Sequence, residues 1–163
     1  MLPKDLLDEI EEYISFHFTN STKDFCLEAP RNIYEEELLP NELDDFINLN
    51  RKPTLNQVLF QFIEEKGVSD SAIYKKAGLD RRHFSKIRSN PDYHPKKSTL
   101  ISLAFALELD TDDAEDLLST AGYSLSESET FDLIIQFCLN KQIYDFQTVN
   151  EILDHYKLKP LNA

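Results

Sequence analysis

The basic residues of this chain are concentrated in one short segment whose spacing suits contact with a polyanion. Residues 66–97 hold nine of the 17 Lys and Arg residues and three acidic ones, so the segment carries +6 while the whole chain carries −13. Its second half has two apolar positions at helical spacing, Phe84 and Ile87. Guanidinium and ammonium groups on one helix face can bind DNA phosphates and guanine edges. The outward positions of this stretch carry such groups, namely Arg81, Arg82, Lys86 and Arg88.

Two short helices are expected to position these groups. Ser69 is a plausible N-cap for the helix Asp70–Lys76, which stops at Gly78. Asp80 can cap the next helix, Arg81–Ser89, and places a negative charge at its start. Two short helices joined by a tight turn, the second with a basic face, are typical of a helix-turn-helix.

The rest of the chain also has helical periodicity, and no segment shows the alternation of a strand, so the sequence predicts an all-α protein. It divides into an acidic N-terminal helical region (1–50), a helix-turn-helix domain (54–123) and a C-terminal helical extension (124–163). Other helices are expected near 1–18, 32–38, 42–49, 54–66, 98–107, 110–121, 128–139 and 144–156. Their expected first residues or caps include Asn41, Thr54, Ser98, Asp110 or Thr111, and Ser128.

The central region has Gly78 in the turn, Leu79 just after it, Phe84 and Ile87 facing inward in the next helix, and Pro95 before a further apolar stretch. With these residues it resembles the Cro/phage-repressor-like helix-turn-helix family of the XRE type, over about residues 54–123. The stretches LISLAFALEL and DTDDAEDLLSTAGYSL look like the fourth and fifth helices of that family. The wider chain also looks like small bacterial regulators. The resemblance implies a five-helix domain, flanked by other helices, whose third helix lies in the DNA major groove. One departure is Tyr74, where the family usually has a small residue, so we expect a wider helix crossing or a ring turned aside.

The resemblance also implies which residues contact DNA. Residues at the start of the third helix reach bases: Arg81 and Arg82 suit guanine, and His83 and Ser85 add weaker contacts. Phosphate contacts are expected from Lys75, Lys76, Lys86, Arg88, Lys96 and Lys97.

Partner contacts are expected outside the central domain. Family members usually bind DNA as dimers, and an almost wholly apolar helix offers Phe131, Ile134, Ile135 and Phe137 as a subunit contact. Residues 1–50 contain thirteen acidic and three basic residues, which gives −10. The alternative function is therefore a protein-interaction or antitoxin-like module whose acidic N-terminal region binds a basic partner.

Other classes of function find little support in the sequence. No nucleophile elbow, nucleotide-binding loop or metal-ligand spacing is present, so we expect no enzyme, cofactor or metal. Cys26 and Cys138 are expected to be reduced thiols, and the acidic N-terminus does not fit a signal peptide. We therefore expect a cytoplasmic DNA-binding transcription regulator.

Overall fold

The computed structural model describes residues 2–21 and 40–161. Within these ranges the chain forms nine α-helices and no β-strand, which confirms the all-α class for this part of the protein. None of these helices combines the length and apolar character that a membrane-spanning segment requires. In chain order the helices are α1 (Lys4–Ser21), α2 (Pro40–Asn50), α3 (Leu55–Lys66), α4 (Asp70–Lys76), α5 (Arg81–Ser89), α6 (Lys97–Ala106), α7 (Thr111–Ser119), α8 (Thr130–Asn140) and α9 (Phe146–His155).

Local sequence fixes the starts of the helices around the basic segment. The Ser69 hydroxyl and the Asp80 carboxylate accept hydrogen bonds from backbone N–H groups in the first turns of α4 and α5. Asp110 does the same for α7, and Thr54 directly precedes α3. These caps satisfy N–H groups that have no partner within the helix. All four residues therefore lie where the sequence predicts them.

Three other helix starts differ from the sequence prediction. α2 begins one residue before Asn41, at a proline that suits the first helical position. α6 begins at Lys97, one residue before Ser98. Lys96, the residue before the helix, has an extended backbone and is the N-cap. α8 begins two residues after Ser128, which lies in a turn. The short helix predicted at 32–38 lies outside the described residues.

The helices from α3 to α9 pack around one continuous hydrophobic core. α6 lies inside it, and all residues from Thr99 to Ala106 are buried. α6 packs against α4 and α7, while α3 packs against α5 and α7. Toward the C-terminus, α8 contacts both α7 and α9. The core therefore continues across residue 123, so the C-terminal helices share the packing of α3–α7.

Helix α1, which comes from the N-terminal region, also packs on this core. α1 lies along α8, and Ile10 is fully buried. The Tyr13 hydroxyl donates a hydrogen bond to Oε1 of Gln136 at 3.3 Å. The Tyr13 ring also meets the Phe137 ring edge-on, with 5.8 Å between their centroids. The acidic helix α1 thus has an apolar inner face that completes the packing of α8.

This packing corrects the predicted subunit contact on α8. Ile134 and Ile135 are fully buried within the single chain, Phe137 is 3% exposed, and Phe131 is half-buried. The helices α1, α7 and α9 of the same chain pack against α8. The apolar sequence of α8 is therefore explained by its own neighbours. Ile134, Ile135 and Phe137 therefore do not form a free surface for a second copy.

Helix α2 differs from the others because it is exposed along its length. Leu43, Phe46 and Ile47 are 50%, 64% and 40% exposed. Their spacing of three and four residues places them on one face of the helix. The other faces carry the acidic residues Glu42, Asp44 and Asp45.

Candidate nucleic-acid interface

The turn between α4 and α5 is tight because a glycine takes a left-handed backbone conformation. Gly78 has a φ of 70°, a region that residues with a Cβ avoid. The backbone N–H of Leu79 donates a hydrogen bond to the Tyr74 carbonyl at 2.8 Å and closes the end of α4. Ala77, next to the glycine, is fully buried. This connection fixes the direction in which α5 leaves α4.

Two buried anchors hold α5 against α3 and α4. Phe84 and Ile87 are 3% and 1% exposed, which confirms their predicted inward orientation. The Tyr74 ring lies tilted against the Phe84 ring, with 5.7 Å between their centroids, and stays half-buried. It lines a pocket of about 400 Å³ between α4 and α5 together with Arg81 and Arg88. The tyrosine is thus accommodated at the edge of the helix contact.

The outer face of α5 carries accessible basic side chains. Arg81 and Arg82 lie in its first turn and Lys86 one turn later, all exposed. Within 2–21 and 40–161, no acceptor pairs with the guanidinium or ammonium group of these three residues. Ser85 is exposed between them. Three of the four predicted base-contacting residues are therefore on an open surface.

His83, the fourth predicted base contact, is held by the loop after α5. Its Nε2 lies 3.0 Å from the hydroxyl oxygen of Tyr93, and the two rings meet edge-on with 5.8 Å between their centroids. Both side chains are half-buried. His83 therefore joins α5 to the following loop, which leaves it less accessible to a base than Arg81 or Arg82.

Arg88, a predicted phosphate contact, makes two contacts within the chain that the sequence did not indicate. Its guanidinium forms an ion pair with Asp70 at the start of α4. The same group lies 4.6 Å from the centroid of the Phe60 ring on α3, a cation–π contact. One side chain thus contacts α3 and α4 from the end of α5. Arg88 is therefore a positioning residue in this structure, and its ion pair with Asp70 reduces its attraction for a phosphate.

Two other predicted phosphate contacts are also paired. Nζ of Lys76 lies 3.2 Å from Oε1 of Glu108. Nζ of Lys97 lies 2.6 Å from Oδ2 of Asp132, a carboxylate whose side chain is 3% exposed and which also accepts the Ser126 N–H at 2.8 Å. Lys97 therefore connects α6 to α8. Local neutralisation reduces the attraction of both lysines for a phosphate.

The remaining predicted phosphate contacts stay accessible. Lys75 on α4 and Lys96 just before α6 are exposed and have no ion pair among the described residues. Because ionic screening limits surface fields to about 8 Å at physiological salt, the acidic helices elsewhere do not cancel these charges. The unpaired basic residues on and around α5 are Lys75, Arg81, Arg82, Lys86 and Lys96.

Two residues of this region were not identified from the sequence. Tyr93 follows two turn-forming residues, and nothing in its spacing indicates a contact with His83. Asp132 does leave a signal, because it is the one acidic residue in the apolar stretch TFDLIIQFCLN. A carboxylate in such a stretch needs a buried partner. That signal predicts a structural partner for Asp132, and the structure identifies this partner as Lys97.

Within the described parts of the chain, neither a metal-binding cluster nor a reactive thiol is found. No group of three or more His, Cys, Asp or Glu side chains there is arranged to hold a metal ion. Cys138 is a fully buried free thiol, and burial raises its pKa to about 12. The reactive thiolate is therefore scarce at neutral pH.

Comparisons with known proteins found no relative: no protein-family model matches the chain, and no curated protein or solved structure shows significant similarity to it.

Proposed function

We propose that this chain is a sequence-specific DNA-binding regulator of transcription, in which α3–α7 form a repressor-like helix-turn-helix domain. The observation that carries the proposal is the state of Arg81 and Arg82. Both are exposed in the first turn of α5 and unpaired among the described residues, in a chain with a net charge of −13. Guanidinium groups in so acidic a protein would readily form ion pairs with carboxylates. Free arginines on a rigid helix support a role toward an external anion.

The anchors of α5 suit it to enter the major groove. Phe84, Ile87 and Arg88 hold the helix from its inner side, while Arg81 and Arg82 extend from its N-terminal turn. An arginine that donates two hydrogen bonds to guanine O6 and N7 contributes about 1–3 kcal/mol of base discrimination. The three free lysines, Lys75, Lys86 and Lys96, serve the phosphates. Three such contacts correspond to a slope of about −2.7 in a plot of log affinity against log salt.

Fluorescence anisotropy against pooled genomic fragments, across a salt series, tests this function. The protein is expected to prefer a few fragments and to lose affinity as salt rises. The double variant Arg81→Ala/Arg82→Ala should lose that preference but keep its helical circular dichroism. A matched control, Lys4→Ala/Lys159→Ala, removes two exposed positive charges elsewhere and should keep the preference. Unchanged fragment preference in the Arg81/Arg82 variant would contradict the role of α5.

A symmetric dimer is part of this proposal. Two copies of α5 would then lie about 34 Å apart, one helical turn of DNA. Because α8 is covered within the chain, the subunit contact must use another surface. Sedimentation velocity at tens of micromolar protein, with and without a selected fragment, measures the stoichiometry. A single protomer on every selected fragment would count against the dimer.

The second candidate function is a protein-interaction module, and the exposed face of α2 favours it. Leu43, Phe46 and Ile47 form an apolar stripe beside acidic residues, a pattern that fits a groove in a basic protein. A stoichiometric basic partner should then co-purify and survive nuclease treatment. Phe46→Ser should release this partner without changing DNA affinity. Retention of the partner by this variant would exclude α2 as the contact.

A further inference from the structure

A surface pocket of about 340 Å³ lies between α1 and α8. Four of its residues follow one side of α1 at spacings of three and four, and two lie one turn apart on α8. The lining residues are Glu9, Glu12, Tyr13 and Phe16 on α1, and Phe137 and Lys141 on α8. The volume is at the lower end of the range for ligand sites, so the pocket suits a small molecule.

Three aromatic rings form the apolar part of this pocket. The Tyr13 and Phe137 rings meet edge-on, and the hydrogen bond from the Tyr13 hydroxyl to Gln136 holds the first of them in place. Phe137 is 3% exposed, whereas Phe16 is 62% exposed, so a ligand can still cover much of the Phe16 ring. The face of an aromatic ring is negatively polarised. The rings that line the pocket therefore favour a positively charged ligand.

The charged side chains of the pocket leave a net negative charge. Oε2 of Glu9 lies 2.9 Å from Nζ of Lys141, so these two charges neutralise each other. The Glu12 carboxylate is exposed, and no cation pairs with it within residues 2–21 and 40–161. The three charged groups sum to −1, and the uncompensated charge is that of Glu12.

The chain itself already places a cation against one of the rings. Nζ of Lys141 lies 5.8 Å from the centroid of the Phe137 ring, which is within the range of a cation–π contact. This contact is independent of the volume and the net charge of the pocket. It shows that the aromatic wall accepts a positive group.

The acceptors in the wall distinguish between kinds of cation. A primary ammonium has three N–H groups that need acceptors, and Glu12 is the one lining carboxylate that no lysine neutralises. A quaternary ammonium has no N–H group, so aromatic faces and one carboxylate are enough to bind it. A divalent metal ion needs several oxygen ligands, and the described residues contain no suitable cluster.

We propose that this pocket binds a small molecule whose charged end is a quaternary ammonium group. The ligand would lie between α1 and α8, with its methyl groups against Phe16 and its charge beside Glu12. Because α5 takes no part in this site, the inference does not depend on the proposed DNA-binding function.

An NMR titration of the full, isotope-labelled chain with choline chloride, at constant ionic strength, tests the proposal. Saturable shifts of backbone amides in residues 9–17 and 137–141 are expected. The control ligand is 3,3-dimethylbutan-1-ol, which has the shape of choline but no charge. It should bind about fivefold more weakly, since a cation–π contact at an exposed site contributes about that factor.

Substitutions in the pocket should change choline affinity in opposite directions. Phe16→Ala should weaken binding about fivefold, and Glu12→Gln about threefold. Lys141→Gln should instead strengthen binding about threefold, because it removes the competing cation from Phe137 and leaves Glu9 unpaired. Phe46→Ala is the matched control for Phe16→Ala: Phe46 is 64% exposed, lies on α2, and its loss should leave the affinity unchanged.

Two results would overturn the proposal. The first is an uncharged analogue that binds as tightly as choline, or an absence of saturable shifts with choline in these residues. The second is a choline affinity that Phe16→Ala and Glu12→Gln both leave unchanged, in variants whose circular dichroism shows that they are folded. The comparison of the two ligands uses the unaltered chain, so it decides the question even if a variant does not fold.

Discussion

Replacing Asp132 by alanine should destabilise the fold by about 3 kcal/mol. The Asp132 carboxylate is 3% exposed and accepts hydrogen bonds from Lys97 and from the Ser126 N–H. Breaking a buried ion pair by removing one partner costs about 3–5 kcal/mol, because the other charge loses its partner. The Lys97 side chain is 30% exposed, so water can solvate it in part, and the low end of that range applies.

Urea unfolding followed by circular dichroism measures this loss. A thermal scan should show a lower melting temperature by about 6–12 °C, given about 2–4 °C per kcal/mol for a chain of this size. Glu9→Ala is the matched control, because it breaks the ion pair between Glu9 and Lys141, whose side chains are 53% and 52% exposed. An exposed pair contributes about 0–1 kcal/mol.

A double-mutant cycle with Lys97→Ala identifies the interaction itself. The sum of the two single losses should exceed the loss in the double variant by about 0.5–3 kcal/mol, since the partners are in contact. A loss below about 1 kcal/mol for Asp132→Ala, or a coupling near zero, would refute the reasoning. Lys97→Ala should also leave the DNA affinity of the folded protein unchanged, because Lys97 is a structural residue here.

The other predictions concern a positioning arginine, a helix cap and a buried thiol. Arg88→Ala should lower the free energy of unfolding by about 1 kcal/mol, because the ion pair and the cation–π contact are lost. In a salt series followed by anisotropy, this variant should keep the salt slope of DNA binding, whereas Lys86→Ala should reduce the slope by about one. The hydrogen bonds from the side chain and backbone of Thr148 lower the pKa of Asp145. The stabilising effect of Asp145 is therefore present above its unfolded pKa, about 3.9, and is lost as pH falls through its lower folded pKa. Urea titrations from pH 6 to 2 should show a smaller acid-induced loss in Asp145→Ala, and an equal loss would contradict this. Burial should protect the Cys138 thiol from labelling by iodoacetamide at pH 8 until urea unfolds the chain. Mass spectrometry measures this labelling, and rapid labelling of the native protein would contradict the prediction.

The sequence indicated the local parts of the central region correctly. Ser69 and Asp80 cap their helices because capping depends on a side chain and the backbone two or three residues further on. Phe84 and Ile87 face inward because helical spacing places them on one face. Gly78 has the positive φ expected of a glycine between two short helices. Each of these features is determined within a few residues of chain.

The partners of charged residues could not be read from the sequence in the same way. Arg88 meets Asp70, and Lys97 meets a carboxylate 35 residues away, so only the packing of different helices brings these groups together. The predicted phosphate contacts were chosen by charge, which does not distinguish a free lysine from a paired one. The apolar face of α8 was also ambiguous, because part of its cover comes from α1, more than 100 residues earlier. Long-range pairing therefore decided which predicted site residues remained accessible.

The packing of α1 against α8 also affects the order of events during synthesis. Tyr13 and Gln136 are 123 positions apart, so α1 leaves the ribosome long before its binding surface exists. At about 5–20 residues per second, the delay is roughly 6–25 s. During this time the apolar face of α1 has to remain without its native partner. The nascent chain can therefore complete α3–α7 first and add α1 only once α8 has emerged, so α1 would be made before the helices of the core and would dock among the last.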